Sequence, residues 1–274
     1  NILVVPGIRD SALSDYILDR LSDYGKAIYL MDIASYDASD NRLFRDSSEK
    51  PSIDKTASSF ASRAVDNNYA ASYFPDVRIV DEENNRRATV PSSVAALGAL
   101  AYNDRVSYPW FAPAGFNRGS LGFVTNLNVR LNQEDRDTLY ENRINTIATF
   151  PGAGYVIFGQ KTLQILKSSL DRVNVRRMLL EVRRTIGEVA ENIVFEQNTA
   201  ATRSRFVAQV TPLLSLVQSQ QGIDQFKVVM DSSNNTQADI DNNILNGRIV
   251  IVPTRAVEFI AIDFIITNAG VEFV

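Results

Sequence analysis

The 274-residue chain contains no histidine and no cysteine. These two absences exclude a Ser-His-Asp triad, a Cys-His nucleophile, a His or Cys zinc site, thiol redox chemistry and a structural disulfide. Catalysis by Asp, Glu, Lys, Tyr or Ser stays open. A basic excess is also missing. The 28 Lys and Arg stand against 32 Asp and Glu, for a formal net charge of −4, which is not the electrostatic footprint of a dedicated nucleic-acid binder. No apolar run approaches the ~18–20 residues of a membrane span; the longest, near Phe259–Ile266, is interrupted by Asp263. The opening Asn1–Gly7 has no basic n-region and no cleavage pattern, so it reads as a chain that begins inside a strand rather than as a signal peptide. What is present is a globular balance, 45% hydrophobic and 22% charged, sufficient for one large or two ordinary units.

The first half alternates strands and helices. Ile2–Val5 is a continuous apolar run closed by Pro6-Gly7, and Asp10-Ser11 opens a helix with Leu13, Tyr16, Ile17, Leu21 and Tyr24 at helical spacing. Gly25 ends that helix and Lys26–Met31 is a second apolar strand, so a parallel βαβ unit is expected. Ser35–Pro51 reads as a polar loop, Pro51–Asn67 as a helix, Ala70–Phe74 and Val77–Val80 as strands, and Asp81–Arg87 as a charged turn. Pro91-Ser92-Ser93 opens another helix and Gln133–Arg143 is a short polar one. A boundary is expected near Asn142, dividing the chain into units 1–141 and 142–274. The second unit then holds strands Ile144–Phe150 and Tyr155–Phe158, a long helix capped by Asp171, and a helix Arg203–Gln220 that Pro212 should kink or break. Strand Phe226–Met230, helix Gln237–Leu245 and strand Arg248–Val252 follow.

Catalytic motifs are incomplete. Gly152-x-Gly154 lacks the third glycine of a dinucleotide fingerprint, which falls on Ile157. Gly119-Ser120-Leu121-Gly122 lacks the spacing of a nucleophile elbow, and Ser47-x-x-Lys50 lies in a polar loop. Asp239-x-Asp241-x-Asn243 resembles the start of a calcium loop, but Ile244 replaces its glycine. No cofactor, metal or catalytic residue is expected.

Three features point to partner contacts. Arg172, Arg176, Arg177, Arg183 and Arg184 fall on the polar side of the long helix; Arg177–Glu181 and Arg184–Glu188 are i,i+4 pairs, and the group is either a solvated face or a charged contact with a partner. Ser107–Gly119, with Trp110, Phe111 and Phe116, is either a packed aromatic loop or a contact surface. Val257–Thr267 reads as a strand of about 36 Å, apolar on both faces. It is either central in its own sheet or adds to another chain's, with Phe259, Ile260, Ile262, Phe264 and Ile266 as its inter-subunit residues.

Several stretches together resemble the contractile tail sheath proteins of phages, pyocins and related injection systems. Across the expected boundary and through the second unit these are Leu139-Tyr140-x-x-x-Arg143-Ile144-Asn145, Phe158-Gly159-Gln160-Lys161-Thr162-Leu163 and Arg172-Val173-Asn174-Val175-Arg176-Arg177-Met178-Leu179, then Phe195-Glu196-Gln197-Asn198, Asn235-x-x-x-Asp239-Ile240 and Pro253-x-x-x-x-Glu258-Phe259-Ile260. In the first unit Pro91–Tyr102 with Asp104-Arg105 and Trp110-x-Ala112-Pro113-Ala114-Gly115 fits the same pattern. The resemblance implies a subtilisin-like α/β first domain without protease activity, followed by an α+β C-terminal sheath domain with a long terminal strand. It implies hexameric rings stacked helically around a tail tube, contact with baseplate and tail terminator, a place in the virion tail after assembly in the host cytoplasm, and terminal arms that complete a neighbour's sheet. It implies neither nucleic-acid binding nor membrane insertion. A chain opening inside a strand lacks one arm and is expected to be monomeric as it stands. The runner-up readings are a subtilisin-like hydrolase with a His-independent site and a small-molecule-binding α/β protein.

Overall fold

The computed structural model describes residues 1–44, 47, 49–81 and 83–258. Its elements run β1 (Ile2–Val4), α1 (Ser11–Tyr24), β2 (Ile28–Met31), β3 (Ser35–Tyr36), β4 (Arg42–Leu43), α2 (Ile53–Ser62), β5 (Ala70–Phe74), β6 (Val77–Asp81), β7 (Arg86–Val90) and α3 (Ser92–Val106). They continue α4 (Gly115–Arg118), β8 (Val124–Leu127), α5 (Gln133–Glu141), β9 (Ile144–Phe150), β10 (Gly154–Phe158), a 3-10 turn at Ser169–Asp171, α6 (Val173–Glu191), α7 (Ala200–Ser219), β11 (Ile223–Val229), α8 (Gln237–Asp241) and β12 (Arg248–Pro253).

Local chemistry sets many of these boundaries. Asp10 accepts the Leu13 N–H at 2.9 Å to start α1, and Gly25, at φ +64°, ends it by donating to Leu21 O at 2.8 Å. Asn132 and Asp135 form a reciprocal capping box at α5. A five-stranded sheet has the order β1-β2-β5-β9-β10, parallel except for the antiparallel β9–β10 pair. Alternation along β2 divides the interior in two. Ile28 and Leu30 join a core with Ala95, Ala96, Ala99 and Leu100 of α3. Tyr29 and Met31 join one with Leu18 and Leu21 of α1, Ala57 and Phe60 of α2 and Leu139 of α5. Helices therefore cover both faces, as a parallel sheet requires.

A third core lies beyond this sheet, where α6 and α7 pack with the two-stranded sheet β11–β12 through Val175, Met178, Val182, Phe206, Val210, Leu214 and Ile223. Helix α6 belongs to two cores at once: Val173 and Leu180 face the first, while Val175, Met178 and Val182 face the third.

The expected alternation of strands and helices is present, with differences. Ile144–Phe150 and the strand after it, grouped with the second unit from sequence, are hydrogen-bonded into the first sheet, β9 through its parallel pairing with β5. The end of the charged turn is strand β7, which pairs with β6; β8 pairs with β6 on its other side. A small ribbon, β3–β4, interrupts the expected loop. Helix α6 starts after Arg172 rather than at an Asp171 cap, and α8 ends at Asp241. Pro212 does not break α7, because Pro212 and Ala208, whose carbonyl loses its donor, both lie on the exposed side, where water can replace the bond.

The N-terminus of α3 depends on carboxylates from elsewhere, since Pro91 offers no side-chain cap. Buried Asp32 accepts Ser93 N at 3.0 Å, Ser93 Oγ at 2.8 Å, Ser92 Oγ at 3.3 Å and Gly7 N at 2.8 Å. Asp76 accepts Ser92 N at 3.3 Å and pairs with Arg9. Burial raises the Asp32 pKa, and the hydrogen bonds from Gly7 and Ser93 oppose it without cancelling it. Asp32→Ala would leave the buried Ser93 N–H and Ser93 hydroxyl without this acceptor. It is expected to lower stability by about 2–4 kcal/mol, measured as a shift of the urea midpoint at unchanged slope.

Candidate functional site

The first turns of α6 place a run of polar side chains between the cores. Arg172, in extended conformation as N-cap, reaches Glu258, with Nε 2.6 Å from Oε1 and Nη2 2.9 Å from Oε2. Asn174 Nδ2 donates to Trp110 O at 3.1 Å. Arg176, 7% exposed, sets its guanidinium 3.3 Å from the centre of the Tyr69 ring. Arg177, 6% exposed, donates to Asp104 at 2.6 Å. Burial first, and the Arg183 charge second, push the Arg176 pKa down to about 10.

Glu258 receives four hydrogen bonds. Besides the Arg172 fork, Tyr140 Oη donates to Oε2 at 2.8 Å and Gln160 Nε2 donates to Oε1 at 3.2 Å. Burial alone would raise this carboxyl, but the bonds from Arg172 and Tyr140 and the Arg172 charge outweigh it and hold the pKa below the ordinary range. Burial and the Glu258 charge raise the Tyr140 hydroxyl, so it remains a donor. The clamp is braced behind. Arg172 Nη1 pairs with Asp171 at 3.1 Å, Val173 N donates to Gln160 O at 2.8 Å, and Lys161 Nζ donates to Tyr140 O at 2.7 Å. A groove of about 290 Å³ beside it is lined by Ala112, Gly115, Arg136, Phe158, Val257 and Glu258.

The sequence candidates divide accordingly. The five arginines do not form one solvated face: Arg176 and Arg177 are interior, Arg172 is half-buried, and Arg183 and Arg184 are exposed. Arg177 pairs with Asp104 rather than with Glu181, while Arg184 pairs with Glu188, as its spacing predicts, and with Glu181. Arg183 Nη1 donates to Gly25 O at 3.2 Å, at the C-terminal end of α1. Trp110 is packed, stacked on Tyr108 at 5.0 Å, its Nε1 donating to Gln220 O at 2.9 Å. Phe111 is half-buried under the Arg118 guanidinium. Phe116 is 55% exposed and touches Phe150 and Phe158 at centroid distances of 5.2 and 5.9 Å. Phe259, Ile260, Ile262, Phe264 and Ile266 lie outside the described residues. Asp104, Tyr140 and Gln160 were absent from the candidate set, although each lies in a stretch that carries the resemblance.

A carboxylate accepting four bonds has no lone pair left for a substrate proton. Among the described residues no group of three or more acidic side chains is placed to hold a metal, and no helix is long and apolar enough to cross a membrane. Fold and site define a mixed α/β protein whose buried polar residues join its parts to one another. The profile of the phage tail sheath protein central domain matches residues 1–163 and that of the phage tail sheath C-terminal domain matches residues 167–267. The chain belongs to the phage tail sheath family.

It is similar to the tail sheath protein of Vibrio phage KVP40, 36% identical over 209 residues, which are 76% of this chain and 30% of that protein. To the tail sheath protein of Enterobacteria phage T4 it is 35% identical over 210 residues, 77% of this chain and 31% of that protein. The chain thus spans about a third of the length of these relatives. In fold it matches a chain of the anti-feeding prophage baseplate with TM-score 0.78 and 21% identity, covering 98% of this chain and 69% of that one. It also matches a contracted sheath complex of an extracellular contractile injection system, with TM-score 0.76 and 23% identity, covering 96% and 70%.

Glu258→Gln is expected to lower stability by about 1.5–3 kcal/mol at neutral pH, measured by urea unfolding. A depressed folded-state pKa gives a contribution present above the unfolded pKa and lost as pH falls through the folded one. The gap between wild type and variant should therefore narrow as pH drops below the ordinary carboxylate range. A gap independent of pH would argue against an ion pair.

Proposed function

We propose that this chain is the part of a contractile tail sheath subunit that carries its α/β and C-terminal units. The whole protein polymerises around a tail tube as hexameric rings stacked helically, and its contraction drives the tube through the host envelope. The observation that carries this reading is 36% identity, over 209 residues, to a tail sheath protein. On it, the subunit belongs to the virion tail, assembles in the host cytoplasm and meets tube, baseplate and tail terminator.

Its role is structural. Parallel strands β1, β2, β5 and β9 with helices on both faces support a subtilisin-like topology for the first unit. The carboxyl ends of such strands are where an α/β enzyme holds its ligand. Here Asp32 fills the end of β2 with the N-terminus of α3, which favours a scaffold over a hydrolase. The junction between the units falls after β10, because β9 and β10 complete the first sheet.

Subunits are linked by strand addition. Each of β11 and β12 pairs only with the other among the described residues, and Val250 and Val252 on β12 are exposed. Such an edge accepts an extended segment through its backbone groups. Val257–Thr267, apolar on both faces in sequence, is the segment we assign to that link. Arg183, Arg184 and Phe116 are the assigned side-chain contacts, the first two toward an acidic neighbour. Deleting Val257–Val274 from the full-length protein should abolish tubes in negative-stain images while the first unit stays folded; ordinary sheaths from the truncated protein would refute the link. Arg183→Glu with Arg184→Glu should slow assembly at low salt and less at high salt, where screening weakens exposed charges. Equal assembly rates for variant and wild type at low salt would remove these two residues from the interface.

A further inference from the structure

We infer that Arg172, Tyr140 and Gln160 are positioning residues that grip Glu258, so that the segment following it starts from a fixed point braced against the first sheet. The inference rests on the strand-linking reading above and adds where the link is rooted.

The chain leaves β12 at Pro253, and Thr254 N donates to Gly222 O at 3.2 Å, within the second unit. Residues 254–257 are all exposed, and Glu258 is the next anchored side chain. The strap thus crosses from the third core to α5, the end of β10 and the start of α6, where the Glu258 carboxylate attaches it. Those attachments are strong in kind: a two-pronged guanidinium fork fixes both position and orientation, which a single ammonium would not.

The grip continues inward. Arg172 faces Lys161 in an isolated antiparallel bridge. Lys161 N donates to Asn145 Oδ1 at 2.6 Å, and Asn145 Nδ2 donates to Lys161 O at 2.8 Å and to Ser72 O at 3.0 Å. Asn145 is buried on β9 and Ser72 on β5, in the middle of the five-stranded sheet. A pull on residue 258 is therefore met by buried residues of two adjacent strands of the first sheet, one of them its central strand. A segment held only at Thr254 would pass its load to the two-stranded sheet. This gives a reason for a carboxylate with four donors at this point of an otherwise exposed strap.

The test uses the full-length protein and variants Glu258→Gln and Tyr140→Phe, with the Val257–Val274 deletion as a reference. Unassembled protein is treated with trypsin, and the peptide that begins at Ala256 is followed by mass spectrometry, because Arg255 lies exposed in the strap. Cleavage after Arg255 should be on the order of tenfold faster in Glu258→Gln, since cleavage tracks the open population and ~1.4 kcal/mol is a factor of ten. The increase should be smaller in Tyr140→Phe, which removes one donor and serves if Glu258→Gln fails to fold. Tube yield in negative stain should fall in the same order. Unchanged cleavage in both variants overturns the grip, whatever the deletion does. Faster cleavage with wild-type tube yield overturns its role in the link. Loss of the linking reading itself is read separately, from tubes formed by the deletion.

Discussion

A guanidinium that leaves water must find its partners inside the protein, and α6 brings in three of them within its first turns. Each is compensated differently. Arg177 meets a carboxylate on α3, Arg176 lies over an aromatic ring, and Arg172 holds the carboxylate that ends the C-terminal strap. Asn174 adds a bond to the Trp110 carbonyl. Buried ion pairs are weak evidence for stability, because desolvation offsets most of the Coulomb gain. Their geometric demand is the relevant property. A helix whose apolar side chains serve two cores could slide or rotate between them, and four polar contacts at its start select one register.

The apolar pattern of α6 leads to the same arrangement. Val173 and Leu180 are seven residues apart and dip into the first core, while Val175, Met178 and Val182 form a second stripe into the third. A helix apolar on two sides must be covered on two sides. Arg172, Arg176 and Arg177 therefore sit in the seam between the cores rather than on an outer surface. Trp110 strengthens the seam from the other direction: its ring lies where a side chain at position 222 would be, and Gly222 leaves the room, with the nearest ring atoms 2.9 Å from where a Cβ would stand. The loop that carries Trp110 belongs to the first unit in sequence and to the third core in space.

What the sequence made legible follows the range of the interactions. Helix α1 was readable because Asp10 and Gly25 act within a few residues of the helix they bound, and β2 because its apolar run is continuous. Strand β7 was not, since Arg86–Val90 opens with two arginines, offers only Ala88 and Val90 as an apolar side, and pairs along its whole length with β6. A boundary at Asn142 looked natural after a polar helix, but β9 is placed by hydrogen bonds to Ser72–Phe74, some seventy residues earlier. The clamp had the same character. Arg172 and Glu258 each stood in a stretch that carried the family resemblance, yet no spacing rule joins residues 86 apart. Periodicity marked the arginines as a polar stripe. Only the fold could say that Arg172, Arg176 and Arg177 of that stripe face other parts of the same chain.

The sheet edges show where the fold is closed and where it is left open. The outer edge of β10 is covered by Gly119–Leu121, with Leu121 N donating to Tyr155 O at 2.9 Å and Ile157 N donating to Gly119 O at 2.8 Å. That cover demands glycine, because a Cβ at position 119 would stand 2.6 Å from the Ile157 carbonyl oxygen. The outer edges of β1, β11 and β12 have no such cover among the described residues. An uncovered edge invites pairing with another chain, and natural sheets usually blunt it with charge, proline or a short strand. β12 has Pro253 only at its end and exposes Val250 and Val252 along its length. The protection at β10 sits beside the clamp, where Gln160, two residues beyond the end of β10, donates to Glu258 and a competing strand would disturb the root of the strap. The same chain thus closes the outer edge of β10 with its own backbone, while among the described residues β12 is left with an unpaired edge and exposed Val250 and Val252.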